Sequence, residues 1–210
     1  LTIYIAELLK SKGYRPAILS RGYGRKSKGY LLVSKKGEIL TSVEKSGDEI
    51  FQCVVECRIP AAVSENRVYG AKRLLKETEI DVIILDDAFQ HRWINRDLDV
   101  VIFEQRHLIT SNRYRRMMLP TGNMREPIES VKRGDVIVIN RKFSEKAQIG
   151  ESTTRHFQGK KVFNGYYETV GFVDLKSNLH YKPEEFVGQK SLVVSGIANP
   201  YSFINALKKI

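Results

Sequence analysis

Short apolar runs alternate with amphipathic stretches along the first two thirds of the chain. The apolar runs predict buried strands at 15–20, 61–64, 83–85, 100–103 and 136–139. The stretches that carry apolar residues at helical spacing predict helices at 1–10, 47–57 and 67–76. A polar segment around Lys35-Lys36-Gly37 predicts a hairpin. This alternation is typical of an α/β fold, in which helices flank a mostly parallel sheet.

The pattern changes after residue 160. Residues 163–175 are aromatic and β-prone, residues 179–185 are polar with a proline, and residues 191–195 predict a strand before a final helix. We therefore expect an N-terminal domain at 1–160, a two-stranded β connector at 161–185, and the start of a smaller C-terminal α/β lobe at 186–210. Helical periodicity runs to both ends of the chain without a cap or a terminating glycine, so we expect it to be part of a longer protein.

Composition and charge narrow the function classes only a little. With 42% hydrophobic and 28% charged residues among 210, the chain is typical of a globular protein, and no apolar run approaches the ~20 residues of a membrane-spanning helix. The net charge of +11 predicts attraction to a polyanion, which is nucleic acid, an anionic membrane surface or a phosphorylated substrate. Cys53 and Cys57 fit neither a zinc site nor a disulfide framework, and we expect buried thiols in a reducing cytoplasm.

The most informative polar residues follow the predicted strand at 83–85. Asp86 and Asp87 come directly after it, and His91 and Arg92 lie just beyond. Ligands of open α/β sheets bind beyond the carboxyl ends of the strands, so two carboxylates at this place indicate Mg²⁺ and a phosphorylated ligand. The alternative is structural, because an acidic pair after a strand is also typical of a helix N-cap with a favourable first-turn charge.

A second candidate is the segment Ser20–Lys28, which follows the first predicted strand and combines glycines with four cations. It is typical of an anion-binding loop, although it matches neither Gly-x-x-x-x-Gly-Lys-Ser/Thr nor Gly-x-Gly-x-x-Gly. The alternative is an ordinary solvated turn. Asp48, at the start of a predicted helix, is either a structural cap or the acceptor of a proton from a reacting hydroxyl.

Two further cationic positions are ambiguous in the same way. Arg125 lies in the Pro/Gly-rich loop 119–127, where it either reaches a phosphate or is merely solvated. The cluster of Arg113, Arg115 and Arg116 is open to the same two interpretations.

Six segments resemble, in the same order, the tetraacyldisaccharide 4′-kinase family, whose members use ATP to phosphorylate a lipid A precursor. These segments are residues 19–24, 47–49, 63–67, 85–91, 119–127 and 195–200. The Arg-Gly-Tyr-Gly and Asp-Asp-x-x-Gln-His pieces are the most specific, and the resemblance covers almost the whole chain. It implies a P-loop NTPase-like fold and an ATP-dependent kinase that acts on the 4′-hydroxyl of a tetraacylated glucosamine disaccharide 1-phosphate. It also implies a peripheral location at the anionic cytoplasmic face of the bacterial inner membrane.

The resemblance further implies roles for individual residues. Asp86 and Asp87 match the acids that hold the Mg²⁺ bound to ATP. Asp48 matches the acid that helps to deprotonate the sugar hydroxyl, with Glu49 beside it and His91 close to the metal acids. The residues that we link to the sugar or phosphate groups of the substrate are Arg21, Tyr23, Arg67 and Arg125.

Some parts of the family pattern are not in this sequence. The P-loop, a Gly-rich turn that ends in Lys-Thr/Ser, would precede Leu1, and a C-terminal His would follow Ile210, so no residue here is assigned to the ATP phosphates. The N-terminal membrane-associating helix of the family is also absent, and membrane attachment is expected from the basic surface alone. The alternatives are another P-loop ATPase or kinase, a lipid-binding protein, and a basic nucleic-acid-binding module. No nucleic-acid motif is recognised, so no nucleic-acid partner is expected.

Overall fold

The computed structural model describes residues 1–110, 117–122, 124–188, 190–196 and 200–208. The chain divides into two compact units, Leu1–Arg96 and Asp97–Ile210. The helices are α1 (Thr2–Ser11), α2 (Val43–Ser46), α3 (Asp48–Cys57), α4 (Arg67–Glu77), α5 (Gln105–Ile109), α6 (Glu151–Thr154) and α7 (Tyr201–Leu207). The strands are β1 (Pro16–Ser20), β2 (Leu31–Lys35), β3 (Glu38–Ile39), β4 (Ala61–Val63), β5 (Val82–Leu85), β6 (Val100–Glu104), β7 (Val136–Asn140), β8 (Lys161–Gly165), β9 (Phe172–Val173) and β10 (His180–Tyr181).

The first unit contains a five-stranded sheet in the order β3-β2-β4-β1-β5. β1 pairs in parallel with both β4 and β5, whereas β2 and β3 form the predicted hairpin and add to the sheet as antiparallel strands, with β3 at the edge. The predicted helices α1, α3 and α4 and the predicted strands β1, β4 and β5 are all confirmed within one or two residues.

Helices cover both faces of this sheet. Successive residues of β1 point to opposite faces, so neighbouring residues of this strand pack in different cores. Ile18 packs in a core with residues of α1 and α3, such as Ala6 and Ile50. Its neighbour Leu19 packs in a second core with Leu74 of α4. Burial of such a side chain contributes about 1.5–3 kcal/mol to folding. The predicted α/β class is confirmed, and the buried free thiols of Cys53 and Cys57 lie in the first of these cores.

The second unit is built on a three-stranded parallel sheet in the order β6-β7-β8. Ile137 and Ile139 of β7 pack against Leu108 of α5 and Phe157, which lies in a short 3₁₀ helix. An antiparallel pair, β9 and β10, follows this sheet and agrees with the expected two-stranded element. β8 pairs with β7, so the parallel sheet extends to Gly165. The domain boundaries expected from the sequence stay a prediction.

The predicted strand at 191–195 is wrong. Residues 190–196 have no regular structure and pair with no other described segment. Leu192 is 93% exposed and Val194 is 85% exposed, so their β propensity finds neither a partner strand nor a core to pack against. The short helices α2, α5 and α6 were not predicted, since segments of four or five residues carry too little periodicity.

Among the described residues, no helix is both long enough and apolar enough to cross a lipid bilayer.

Candidate active site at the strand ends of the first unit

Three parallel strands of the first unit end at the same edge of the sheet. Leu19 of β1 is in register with Leu85 of β5, and Ser20 is in register with Val63 of β4. The residues that follow these strands therefore meet at one edge, where α/β proteins bind their ligands. Arg21 follows β1, Asp86 follows β5, and the segment that leads to Arg67 follows β4.

The acidic pair has a defined geometry at the end of β5. The hydroxyl of Thr2, at the start of α1, donates a hydrogen bond of 2.8 Å to Oδ1 of Asp86. Asp87 is exposed and has a left-handed backbone with φ of +47°, a conformation that Asp tolerates better than most residues and that occurs often at functional sites. Turns and no helix follow the pair, so the interpretation as a helix N-cap is wrong.

Two buried nitrogen atoms beside these acids have no hydrogen-bond partner within the described residues. They are Nε of Arg67 and Nε2 of His91. Arg67 is 3% exposed, and its Nη1 donates to the carbonyl of Ser64 at 3.0 Å. A guanidinium group buried in this way costs free energy unless an anion pairs with it, so the two orphaned atoms fit a site that binds an anionic ligand.

Electrostatic effects connect the same residues. Burial lowers the pKa of Arg67, and the positive charge of Arg21 lowers it further, whereas Asp87 and Asp86 act in the opposite direction. Burial also lowers the pKa of His91, and the charges of Arg67, Arg96 and Arg21 add to this effect. In the part of the chain that the structure describes, the cations and the acidic pair are thus electrostatic neighbours.

The loop Ser20–Lys28 approaches the start of α3 at a pair of glycines. A Cβ atom on Gly22 would lie 2.6 Å from the carbonyl oxygen of Ser46, and a Cβ on Gly47 would lie 2.8 Å from the carbonyl oxygen of Tyr23. Both glycines have positive φ, +72° and +95°. Only glycine permits this close approach, which brings Tyr23 next to the backbone that precedes Asp48.

Asp48 is the first residue of α3, and Gly47 occupies the N-cap position. The Oδ1 atom of Asp48 accepts a hydrogen bond of 2.9 Å from the backbone N–H of Glu49. The Asp48 side chain is exposed at the helix start, where the partial positive charge of the helix favours a carboxylate. Burial raises the pKa of Cys53, further along α3, to about 11, and the charges of Asp86, Cys57 and Glu49 add to this effect.

The donor atoms at this edge fit Mg²⁺ in the way that phosphate-transfer sites bind it. Asp86 and Asp87 supply two carboxylates, and Mg²⁺ in such sites is commonly bound by one or two carboxylates together with water and substrate phosphates. The described residues contain no group of three or more His, Cys, Asp or Glu that would hold a metal ion by itself.

The predicted site residues are divided between the two units. Eight of them belong to the first unit, namely Arg21, Tyr23, Asp48, Glu49, Arg67, Asp86, Asp87 and His91. Arg125 lies in the second unit, exposed in the turn before the 3₁₀ helix Ile128–Arg133. The predicted cluster of Arg113, Arg115 and Arg116 lies outside the described residues, as do Asn123 and residues 197–199 of the resembling segments.

The sequence did not reveal Thr2 or Glu65 as part of this site. Thr2 is separated from Asp86 by 84 positions and Glu65 from its partner Arg25 by 40. Thr2 lies in none of the resembling segments, and Glu65 lies in the segment 63–67 without an assigned role. In the sequence, Arg25 stands out only as one of the four cations of its loop.

Fold and site together define an α/β protein whose carboxylates and cations gather at the carboxyl ends of parallel strands. The sequence model of the tetraacyldisaccharide-1-P 4′-kinase family (LpxK) matches residues 1–210. The chain belongs to this family.

Individual relatives agree with this assignment. The tetraacyldisaccharide 4′-kinase of Aquifex aeolicus (strain VF5) is 33% identical over 210 residues, which cover 99% of this chain and 61% of the relative. That of Chlorobium luteolum is 36% identical over 217 residues, which cover 98% of this chain and 59% of the relative. The chain thus spans about three fifths of the length of these relatives.

A solved structure is similar as well. It is the crystal structure of the "apo" form of LpxK from Aquifex aeolicus in complex with ATP, with a TM-score of 0.65 and 34% identity. The match covers 78% of this chain and 48% of that chain.

Proposed function

We propose that this chain is part of an ATP-dependent kinase that phosphorylates the 4′-hydroxyl of a tetraacylated glucosamine disaccharide 1-phosphate, a lipid A precursor. The observation that carries the proposal is the meeting of Asp86 and Asp87 with Arg21 and Arg67 at one edge of the sheet. The names of the similar proteins, which are tetraacyldisaccharide 4′-kinases, support the same reaction, and the complex of one of them with ATP supports ATP as the donor.

The side chains match what phosphate transfer requires. The reaction needs a positioned hydroxyl, a metal ion and cations around the moving negative charge more than it needs covalent chemistry. Asp86 and Asp87 would hold Mg²⁺, which would supply charge compensation for the phosphates. Arg21 and Arg67 add positive charge at the same edge, and the unpartnered Nε of the buried Arg67 is available to an anionic oxygen.

Asp48 is the proposed acceptor of the proton from the attacking hydroxyl. It is exposed at the start of α3, so a sugar hydroxyl can reach its carboxylate. Glu49 is its neighbour in the site. Tyr23, which is 82% exposed in the adjoining loop, and Arg125 are proposed to contact sugar or phosphate groups of the substrate.

We further propose that the protein acts peripherally at the cytoplasmic face of the inner membrane, where its acylated substrate resides. The net charge of +11 supports attraction to an anionic lipid surface. The same charge attracts nucleic acid without specificity. If lipid is the partner, vesicles with anionic lipid will retain the protein in the presence of competing duplex DNA at physiological salt.

The test is phosphate transfer from radiolabelled ATP to the tetraacylated disaccharide 1-phosphate. The 210-residue chain and the product of the complete reading frame that contains it are assayed side by side, with and without Mg²⁺. Transfer by the reading-frame product that requires Mg²⁺ supports the proposal. ATP hydrolysis without transfer to the lipid would instead favour another P-loop ATPase, and the absence of both activities would favour a binding protein.

A further inference from the structure

Arg25 is the most deeply buried cation of the loop Ser20–Lys28, and it touches neither of the acids proposed for catalysis. Its side chain is only 3% exposed. Nη1 donates to the hydroxyl of Ser27 at 3.1 Å, and Nη2 donates to the carbonyl of Gly29 at 2.6 Å and to Oε1 of Glu65 at 2.5 Å. A buried guanidinium group with this many partners holds one geometry, because the planar group fixes the direction of each donor.

Glu65 completes a closed arrangement with the same loop. Its second oxygen, Oε2, accepts a hydrogen bond of 3.0 Å from the backbone N–H of Gly29. Glu65 lies between β4 and α4, two residues before the buried Arg67. The pair of Arg25 and Glu65 therefore ties the loop after β1 to the loop after β4, at the edge of the sheet where the proposed site is located.

A second set of contacts connects this loop to α2 and so to the start of α3. The hydroxyl of Ser27 donates to the carbonyl of Lys45 at 2.5 Å, and the backbone N–H of Lys26 donates to the carbonyl of Glu44 at 2.8 Å. α2 ends one residue before Gly47, the N-cap of α3. The position of the loop is thus coupled to the backbone that carries Asp48.

We propose that Arg25 and Glu65 are positioning residues, which together hold Arg21, Tyr23 and Asp48 in the arrangement that binds the phosphate acceptor. The inference rests on the proposed kinase function. Neither residue is placed in contact with a substrate. A local shift of the loop changes the reaction because catalysis by positioning is sensitive to displacements of about 1 Å.

The first variant is Glu65→Gln, which keeps the shape of the side chain and removes the charge beside Arg25. We expect kcat/KM for the lipid acceptor to fall on the order of tenfold or more, with KM for ATP nearly unchanged. The matched control is Lys26→Gln in the same loop. It removes the ion pair of Lys26 with Glu44, whose side chains are 74% and 65% exposed, and exposed pairs of this kind contribute little.

A double-mutant cycle separates positioning from a general loss of structure. If Glu65 acts through the loop, Glu65→Gln will have a much smaller effect in an Arg21→Ala background than in the parent, because the two changes disturb the same interaction. Should Glu65→Gln fail to fold, Ser27→Ala takes its place, since it removes the contacts to both Arg25 and Lys45.

The outcomes are distinguishable. Equal acceptor kinetics for Glu65→Gln and Lys26→Gln would overturn the positioning role and leave the kinase function standing. Fully additive effects of Glu65→Gln and Arg21→Ala would also overturn it. If the parent protein transfers no phosphate to the disaccharide, the proposed function fails, and the positioning role fails with it.

Discussion

The hydroxyl of Thr2 donates a hydrogen bond of 2.8 Å to Oδ1 of Asp86. This contact joins the first residue of α1 to the acidic pair at the end of β5, and it fixes one oxygen of a carboxylate that we assign to Mg²⁺. Groups that orient a metal-binding carboxylate in this way affect metal affinity without touching the metal.

Replacement of Thr2 by Val should therefore weaken the response to Mg²⁺. Val has nearly the same shape but no hydroxyl, and we expect the Mg²⁺ concentration for half-maximal transfer to rise by roughly tenfold. Thr2→Ser, which keeps the donor, should stay close to the parent. An unchanged Mg²⁺ titration for Thr2→Val would separate Asp86 from the metal.

Asp87→Asn tests the other carboxylate with little disturbance of the backbone. Asn tolerates the left-handed conformation that Asp87 adopts at φ of +47°, so the fold should be retained. We expect the Mg²⁺ dependence of phosphate transfer to weaken strongly, because an amide oxygen is a poorer ligand than a carboxylate for a divalent cation. A Mg²⁺ titration of transfer measures this, with circular dichroism to verify the fold; a normal titration would remove Asp87 from the metal site.

Asp48→Asn should abolish transfer and leave ATP binding largely intact. The amide cannot accept the proton of the attacking hydroxyl, and loss of a general base typically costs on the order of 10² to 10⁴ in rate. Single-turnover transfer and equilibrium ATP binding are measured on the same sample. Nearly normal turnover would exclude Asp48 from the chemistry, and a parallel loss of ATP binding would indicate a structural defect instead.

Gly22→Ala and Gly24→Ala form a matched pair for the loop. Both glycines have a positive φ, +72° and +70°, so each substitution carries a backbone cost of order 1–3 kcal/mol. A Cβ on Gly24 meets no atom within 4 Å, whereas a Cβ on Gly22 would lie 2.6 Å from the carbonyl of Ser46. Thermal denaturation should show a clearly larger loss for Gly22→Ala; equal losses would contradict the close approach of the loop to α2.

His91 should contribute to the dependence of stability on pH. Burial and the neighbouring cations hold its pKa below the ordinary value of 6.5, so just below that pH the unfolded chain binds a proton that the folded chain does not. The contribution of His91 is therefore present above about pH 6.5 and is lost as the pH falls through the lower pKa of the folded state.

We expect His91→Gln to flatten this acid side of the stability profile, measured by urea denaturation across about pH 5 to 8, a window that brackets the ordinary His pKa of about 6.5. The same substitution at His180, which is exposed in β10, is the control. An unchanged profile for His91→Gln would show that His91 titrates alike in the folded and unfolded states.

Local sequence patterns were sufficient for much of the fold and for the site's acidic and glycine-rich segments. Short continuous apolar runs predicted β1, β4 and β5, and the period of 3.6 residues predicted the helices around them, because both signals are carried by neighbouring positions in the chain. The same local patterns failed at residues 191–195, where a strand requires a distant partner that the described residues do not provide.

The sequence by itself determined which residues stand at the ends of the strands, and so which carboxylates and cations were candidates. Only the tertiary structure decided which of these ends meet, through the register of β1 with β4 and β5. The hydrogen bonds between Thr2 and Asp86 and between Arg25 and Glu65 are likewise visible only in the tertiary structure. The physical reason is that strand order and side-chain pairing across many positions depend on how the whole core packs, whereas secondary structure follows from spacing along the chain.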